Sequence, residues 1–91
     1  GFTNSGALNG DKASTMQQLV VFAAQHGMIW ISFGHNGMQP STQVPGAMLD
    51  RLGSDLGLMT QSDNAPPTET PGPLDLETAA YFGQRIATVV T

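Results

Sequence analysis

A helical stripe stopped by glycine and followed at once by an apolar run limits this chain more than any other feature. Residues 11–26, "DKASTMQQLVVFAAQH", set Met16, Leu19, Val20 and Ala23 at i, i+3, i+4 and i+7, one apolar face of a helix. Asn9 or Asp11 is placed to cap its free N–H groups. Gly27 suits the stop, because it takes positive φ without a Cβ clash. Residues 28–33, "MIWISF", run apolar to Gly34, the pattern of a strand covered on both faces in a parallel sheet. A helix feeding such a strand is the second half of a βαβ unit, whose first strand would end at Phe2. The fold class is therefore α/β.

The rest of the chain is less regular. Gly, Pro and Asn punctuate residues 34–55, with a short helix expected over 45–53. Residues 56–61, "LGLMTQ", suit a short strand. Four prolines between 62 and 75 exclude a regular element there. Asp75 is placed to cap a last helix over 76–90, with the stripe Leu76, Ala79, Ala80, Gly83, Ile86, Ala87 and Val90. Small residues dominate that stripe, which predicts close packing on a sheet. Trp30 reads as core, its indole N–H requiring a partner. His35 reads as a solvated loop residue, and the five methionines as packing. Two helices and one full strand make a poor core alone, since α/β layers need a sheet of several strands.

Composition narrows the function. Only 11% of residues are charged, against roughly 25% in typical soluble domains. So bare a chain is expected to meet other protein over much of its surface. The net charge is −4 and the basic residues are Lys12, Arg51 and Arg85, which leaves no footprint for nucleic acid or anionic lipid. There is no cysteine, which excludes disulfides and a Cys/His zinc site and fits a cytoplasmic protein. No apolar run is long enough to span a bilayer. Asp50, Asp55 and Asp63 show neither metal-ligand nor acid/base spacing.

The stretch "GFTNSGALNGDKASTMQQLVVFAAQHGMIWISFG" resembles the C-terminal half of flavodoxin-like FMN proteins. It is similar above all to NAD(P)H:quinone oxidoreductases of the tryptophan-repressor-binding-protein type and to NADPH-dependent FMN reductases. Thr3, Asn4, Ser5, Gly6 and Gly10 match the family's Ser/Thr/Gly-rich loop, and His26, Gly27 and Met28 match the turn into its last strand. Residues 34–61 look like the family's insertion around that strand, 62–75 form a Pro-rich loop, and 76–90 match the closing helix. The resemblance covers essentially all 91 residues, as a single partial domain of a flavodoxin-like three-layer sandwich.

The resemblance implies an FMN site. Thr3–Gly10 would lie against the isoalloxazine ring, at the carboxyl end of a strand where open α/β sheets bind ligands. Small residues let the backbone approach a flat ring. His26 corresponds to a histidine near the flavin; its other reading is a cap on the helix C-terminus, favoured by the dipole. The family's phosphate loop is not among these residues. Two function classes follow. One is a segment of an FMN oxidoreductase passing electrons from NAD(P)H to a quinone or flavin, completed by a missing N-terminal half. The other is a non-catalytic half-fold that completes its sheet by homo-oligomerisation and binds no flavin. A third origin, a fragment of a conventional enzyme, stays open beside them.

Overall fold

The computed structural model describes residues 1–34 and 39–91, so His35 lies outside the described residues. Four elements follow in the order β1 (Phe2–Ser5), α1 (Lys12–Gln25), β2 (Leu58–Gln61) and α2 (Pro73–Val90). The two strands pair in parallel, with Phe2 opposite Leu58 and Ser5 opposite Gln61.

Helix α1 forms where the stripe predicts. Met16 and Ala23 are buried, and Leu19 and Val20 half-buried. Its end is a Schellman turn: Gly27 N–H donates to Ala24 O (3.1 Å) and Met28 N–H to Ala23 O (2.9 Å), with Gly27 at φ +69°. The start departs from expectation. Asp11 occupies the cap position in the left-handed region (φ 52°) and makes no side-chain capping bond. Asn9 holds the turn instead, its Oδ1 accepting from Asp11 N–H at 2.8 Å and its carbonyl from Lys12 N–H at 3.1 Å.

The expected strand over 28–33 does not form. Residues 58–61 occupy the parallel position beside β1, at the end of the segment read as an insertion, so the apolar run has no ladder to join. It is pinned at three points. Trp30 Nε1–H donates to Leu56 O (2.8 Å), Phe33 N–H to Asp55 O (3.0 Å), and Arg85 Nε–H to Ser32 O (2.9 Å). Phe33 is fully buried while Ile29 stands 91% exposed, so the run serves as an anchor rather than a central strand. Its indole finds the partner it requires. Nor do residues 45–53 form a helix. Positive φ at Gly46, Asp50 and Gly53 breaks the path into turns, closed by a Pro40–Met48 bridge.

Residues paired across a parallel ladder share a face, and neighbours along a strand alternate. Thus Phe2, Asn4, Leu58 and Thr60 face one way, and Thr3, Ser5, Met59 and Gln61 the other. Helix α1 covers the second face, where Lys12 reaches Ser5. Helix α2 covers the first, where Phe82 packs with Leu58 and Phe33 in the core cluster. It covers the β2 end only, and Phe2 remains 73% exposed on β1.

Helix α2 also begins earlier than expected and turns a different face inward. Gly72 is its cap and Pro73 opens it, a position where the missing N–H costs nothing. Asp75 therefore lies inside the first turn and caps nothing. The buried face is Asp75, Thr78 and Phe82, flanked by Ala79 and Ile86. Leu76, Ala80, Gly83, Ala87 and Val90, expected on the packed stripe, are exposed. The polar residues win the inner face because each has a partner there: Asp75 takes Arg51, and Thr78 Oγ1 accepts from Asp50 N–H at 3.0 Å. A Cβ at Gly83 meets nothing within 4 Å. Gly83→Ala is accordingly expected to stabilise the fold by about 1 kcal/mol, through helix propensity alone. Chemical denaturation checks this, and a lowered midpoint would show that the face is packed after all.

No helix among the described residues is long and apolar enough to cross a membrane.

Candidate functional site

The carboxyl ends of β1 and β2 lie side by side, and two loops rise from them, 6–11 and 62–72. This is the end of an α/β sheet where ligands bind. Thr3, Asn4 and Ser5, expected in the loop, are strand residues; the loop proper starts at Gly6. Every residue from Gly6 to Asp11 is exposed. Gly10 has φ +54°, and a Cβ there would come within 2.3 Å of Ser5 Oγ, so only glycine closes the loop against the strand end.

A polar lattice fixes the strand ends. Asn4 Oδ1 accepts from Thr60 Oγ1 (2.6 Å) and Ser62 Oγ (3.1 Å). Gln61 Nε2 donates to Gly6 O and to Asp63 Oδ1, both at 2.9 Å, so it bridges the two loops. Ser62 N–H donates to Ser5 O at 3.0 Å, continuing the ladder past the strands. Beneath lies an ion pair. Arg51 donates from Nε to Asp75 Oδ1 (2.6 Å) and from Nη2 to Oδ2 (2.9 Å). Oδ2 also accepts from Gln61 N–H at 2.9 Å, which ties α2 to the end of β2.

Lys12 is buried under the loop, its ammonium spent on Ser5 Oγ, Ala7 O and Leu8 O. Its pKa is lowered, first by burial and then by the Arg51 cation, with the Asp75 charge opposing. An open pocket runs between this loop and residues 51–52, lined by Leu8, Asn9, Ala13, Arg51, Leu52 and Met59. The connecting segment is tethered to α2 by Glu77, whose carboxylate accepts from Ser41 Oγ, Thr42 N–H and Thr42 Oγ1. Those bonds, the Ser41 hydroxyl foremost, hold the Glu77 pKa below its ordinary value.

The structure brings Thr3, Asn4, Ser5, Gly6 and Gly10 to one end of the sheet and sets His26 at the other. His26 follows the fourteen residues of α1, about 20 Å of helix away from the loop. Its N–H donates to Phe22 O and Ala23 O, and its ring lies 4.4 Å from that of Phe22. No group of His, Asp and Glu among the described residues is arranged to hold a metal ion.

Sequence reasoning gave no site role to Lys12, Arg51 or Gln61, and gave Asp75 only a capping role. A signal was present in the scarcity of charge. With three basic residues in 91, each has a high chance of structural duty, and Lys12 follows directly on the Gly/Asn loop.

The chain is 35% identical over 89 residues to Flavodoxin FldP of Pseudomonas aeruginosa (strain UCBPP-PA14). The match takes in 98% of this chain and 48% of the relative, so the chain spans about half the length of that protein. The likeness supports a flavodoxin-like family, and the parallel strands with two helices are consistent with a fragment of such a fold. No protein-family profile matches the chain, and no solved structure matches it.

Proposed function

We propose that this chain is the ring-side part of an FMN-binding flavoprotein that transfers electrons. The observation that carries the reading is the exposed Gly6–Gly10 loop at the carboxyl ends of two parallel strands, in a chain similar to a flavodoxin. A Cβ on Gly6 would find its nearest neighbour, Ser62 O, at 3.6 Å, so the backbone is open to a flat ring. Bound FMN would supply the redox chemistry. Gly6 to Gly10 would face the ring, while Thr3, Asn4 and Ser5 support them from the strand and His26 serves the far end of α1.

The fit is to the ring and not to the phosphate. Each of the three basic side chains is already committed: Lys12 to the loop, Arg51 to Asp75, Arg85 to Ser32 O. The phosphate would be held by residues beyond these, which would also complete the three-layer sandwich. NAD(P)H as donor, a quinone or flavin as acceptor, and a cytoplasmic location belong to the same proposal. The first two rest on the resemblance, the last on the cysteine-free composition.

Titration of FMN with the chain tests it. Flavin fluorescence should be quenched to a plateau at one flavin per chain. Because the phosphate would be held by residues outside this chain, lumiflavin, which carries the ring and no phosphate, should be quenched as FMN is. Unchanged fluorescence of both at about 1 mM protein, a binding free energy weaker than roughly −4 kcal/mol, would remove the ring contact.

One observation favours the second reading. Phe2 is 73% exposed on β1, which pairs on one side only among the described residues. Such an edge is a template for another strand. Sheet completion by a second copy predicts a dimer in sedimentation, and a clean folded monomer would oppose it.

A further inference from the structure

We propose that Lys12 is a positioning residue, a cation inside the loop that turns the N–H groups of Leu8 and Asn9 outward as a donor pair. The assignment of that pair to a flavin's ring acceptors rests on the FMN reading above. The clamp itself stands on the geometry alone.

Lys12 is 2% exposed, an unusual place for an ammonium. Its three protons go to Ser5 Oγ at 2.5 Å, Ala7 O at 2.9 Å and Leu8 O at 2.9 Å, which exhausts its donors. Two successive carbonyls therefore point at one buried charge. In a planar trans peptide the C=O and the following N–H point in opposite directions. With Ala7 O and Leu8 O drawn inward, the N–H groups of Leu8 and Asn9 are turned away from Lys12. Neither finds an acceptor among the described residues. Ser5 Oγ donates to Ala7 O at 2.7 Å and reinforces the same turn, and Gly10 folds against Ser5 to close it. The result is a rigid pair of adjacent donors beside an apolar side chain, Leu8, which is 63% exposed. The ligand class it fits is a flat heterocycle with ring-edge carbonyl or imine acceptors. A positive charge directly behind the donors strengthens them toward an electron-rich acceptor.

The test has a flavin-free arm and a flavin arm. In the unliganded chain, the Lys12 ammonium should give a resolved, slowly exchanging 15N–1H signal with through-bond couplings to the carbonyl carbons of Ala7 and Leu8. In Lys12→Met the order parameters of residues 6–10 should fall from about 0.85 to below about 0.6. An ammonium exchanging like a solvated lysine overturns the clamp, as does an unchanged loop in Lys12→Met. If that variant does not fold, the wild-type ammonium signal still decides. On FMN addition the Leu8 and Asn9 amide protons should move downfield in the wild type. Lys12→Met should bind FMN about tenfold more weakly, the loss expected when a charged hydrogen-bonding group is removed. Flavin that binds without moving those two amides overturns the donor assignment. A chain that binds neither FMN nor lumiflavin, which needs no phosphate site, but retains the ammonium signal refutes the ring contact and leaves the clamp.

Discussion

Replacing Arg51 by leucine is expected to cost about 3 kcal/mol, more than replacing Asp75 by leucine. Asp75 is 2% exposed, and its carboxylate takes two bonds from Arg51 and one from Gln61 N–H. Removing the guanidinium leaves a buried charge with a single backbone donor, and such stranding costs about 3–5 kcal/mol. Two features favour the low end. The Arg51 side chain is 34% exposed, so water already screens the pair, and Lys12 lies near enough for the Asp75 charge to act on it. Asp75→Leu strands less. Arg51 can turn to solvent, and the main loss is the acceptor of Gln61 N–H, about 1–3 kcal/mol. The double variant should lose less than the sum of the two, because it removes both charges together. Equilibrium denaturation of the three variants measures this. An Arg51→Leu loss within 0.5 kcal/mol would show that the pair is a surface contact. Against a total stability of about 5–15 kcal/mol, the expected loss is large enough to open the sheet end that carries the Gly6–Gly10 loop.

The same pair shows why some of the fold was legible in the sequence and some was not. Helix α1 could be read because its evidence is local: a 3.6-residue stripe through Met16 and Ala23, and Gly27 at the stop. The loop could be placed for the same reason. The run at 28–33 reads as a strand and is not one, because an apolar hexamer becomes a strand only if a ladder is free. The ladder went to Leu58–Gln61, more than 20 residues later. The inward face of α2 was likewise set from a distance. Its sequence offers one apolar stripe, but the inward face was decided by Asp75 and Thr78, whose partners Arg51 and Asp50 lie 24 and 28 residues upstream. Lys12 was missed because an isolated lysine is nearly always solvated, and only the curl of residues 5–8 makes it an interior group. In each case the unread part is a contact between distant residues.

Phe82→Ala is expected to cost about 3–5 kcal/mol, whereas Leu76→Ala on the same helix should stay within 0.5 kcal/mol. The sequence stripe predicts the reverse, since it buries Leu76 and leaves Phe82 off the face. Phe82 is 4% exposed and stacks on Phe33 with ring centroids 5.4 Å apart, while Tyr81 tilts against the same ring at 5.8 Å. Phe33 and Leu58 complete the cluster, so one ring joins α2, the anchored run and β2. Truncation loses the buried apolar area and the stacking, and it leaves a cavity that a two-stranded sheet can only partly collapse around. The stabilities separate the two helix orientations, because no rotation of α2 buries both faces against one strand. The consequence reaches the site through β2. Gln61, which bridges the two loops, stands three residues after Leu58 on a strand whose one face is covered by Phe82 and its neighbours. Phe82→Ala should therefore speed amide exchange at Gln61 and Ser62 as well as in α2. Loss of protection confined to the helix would show that the strand end is held by its polar lattice alone.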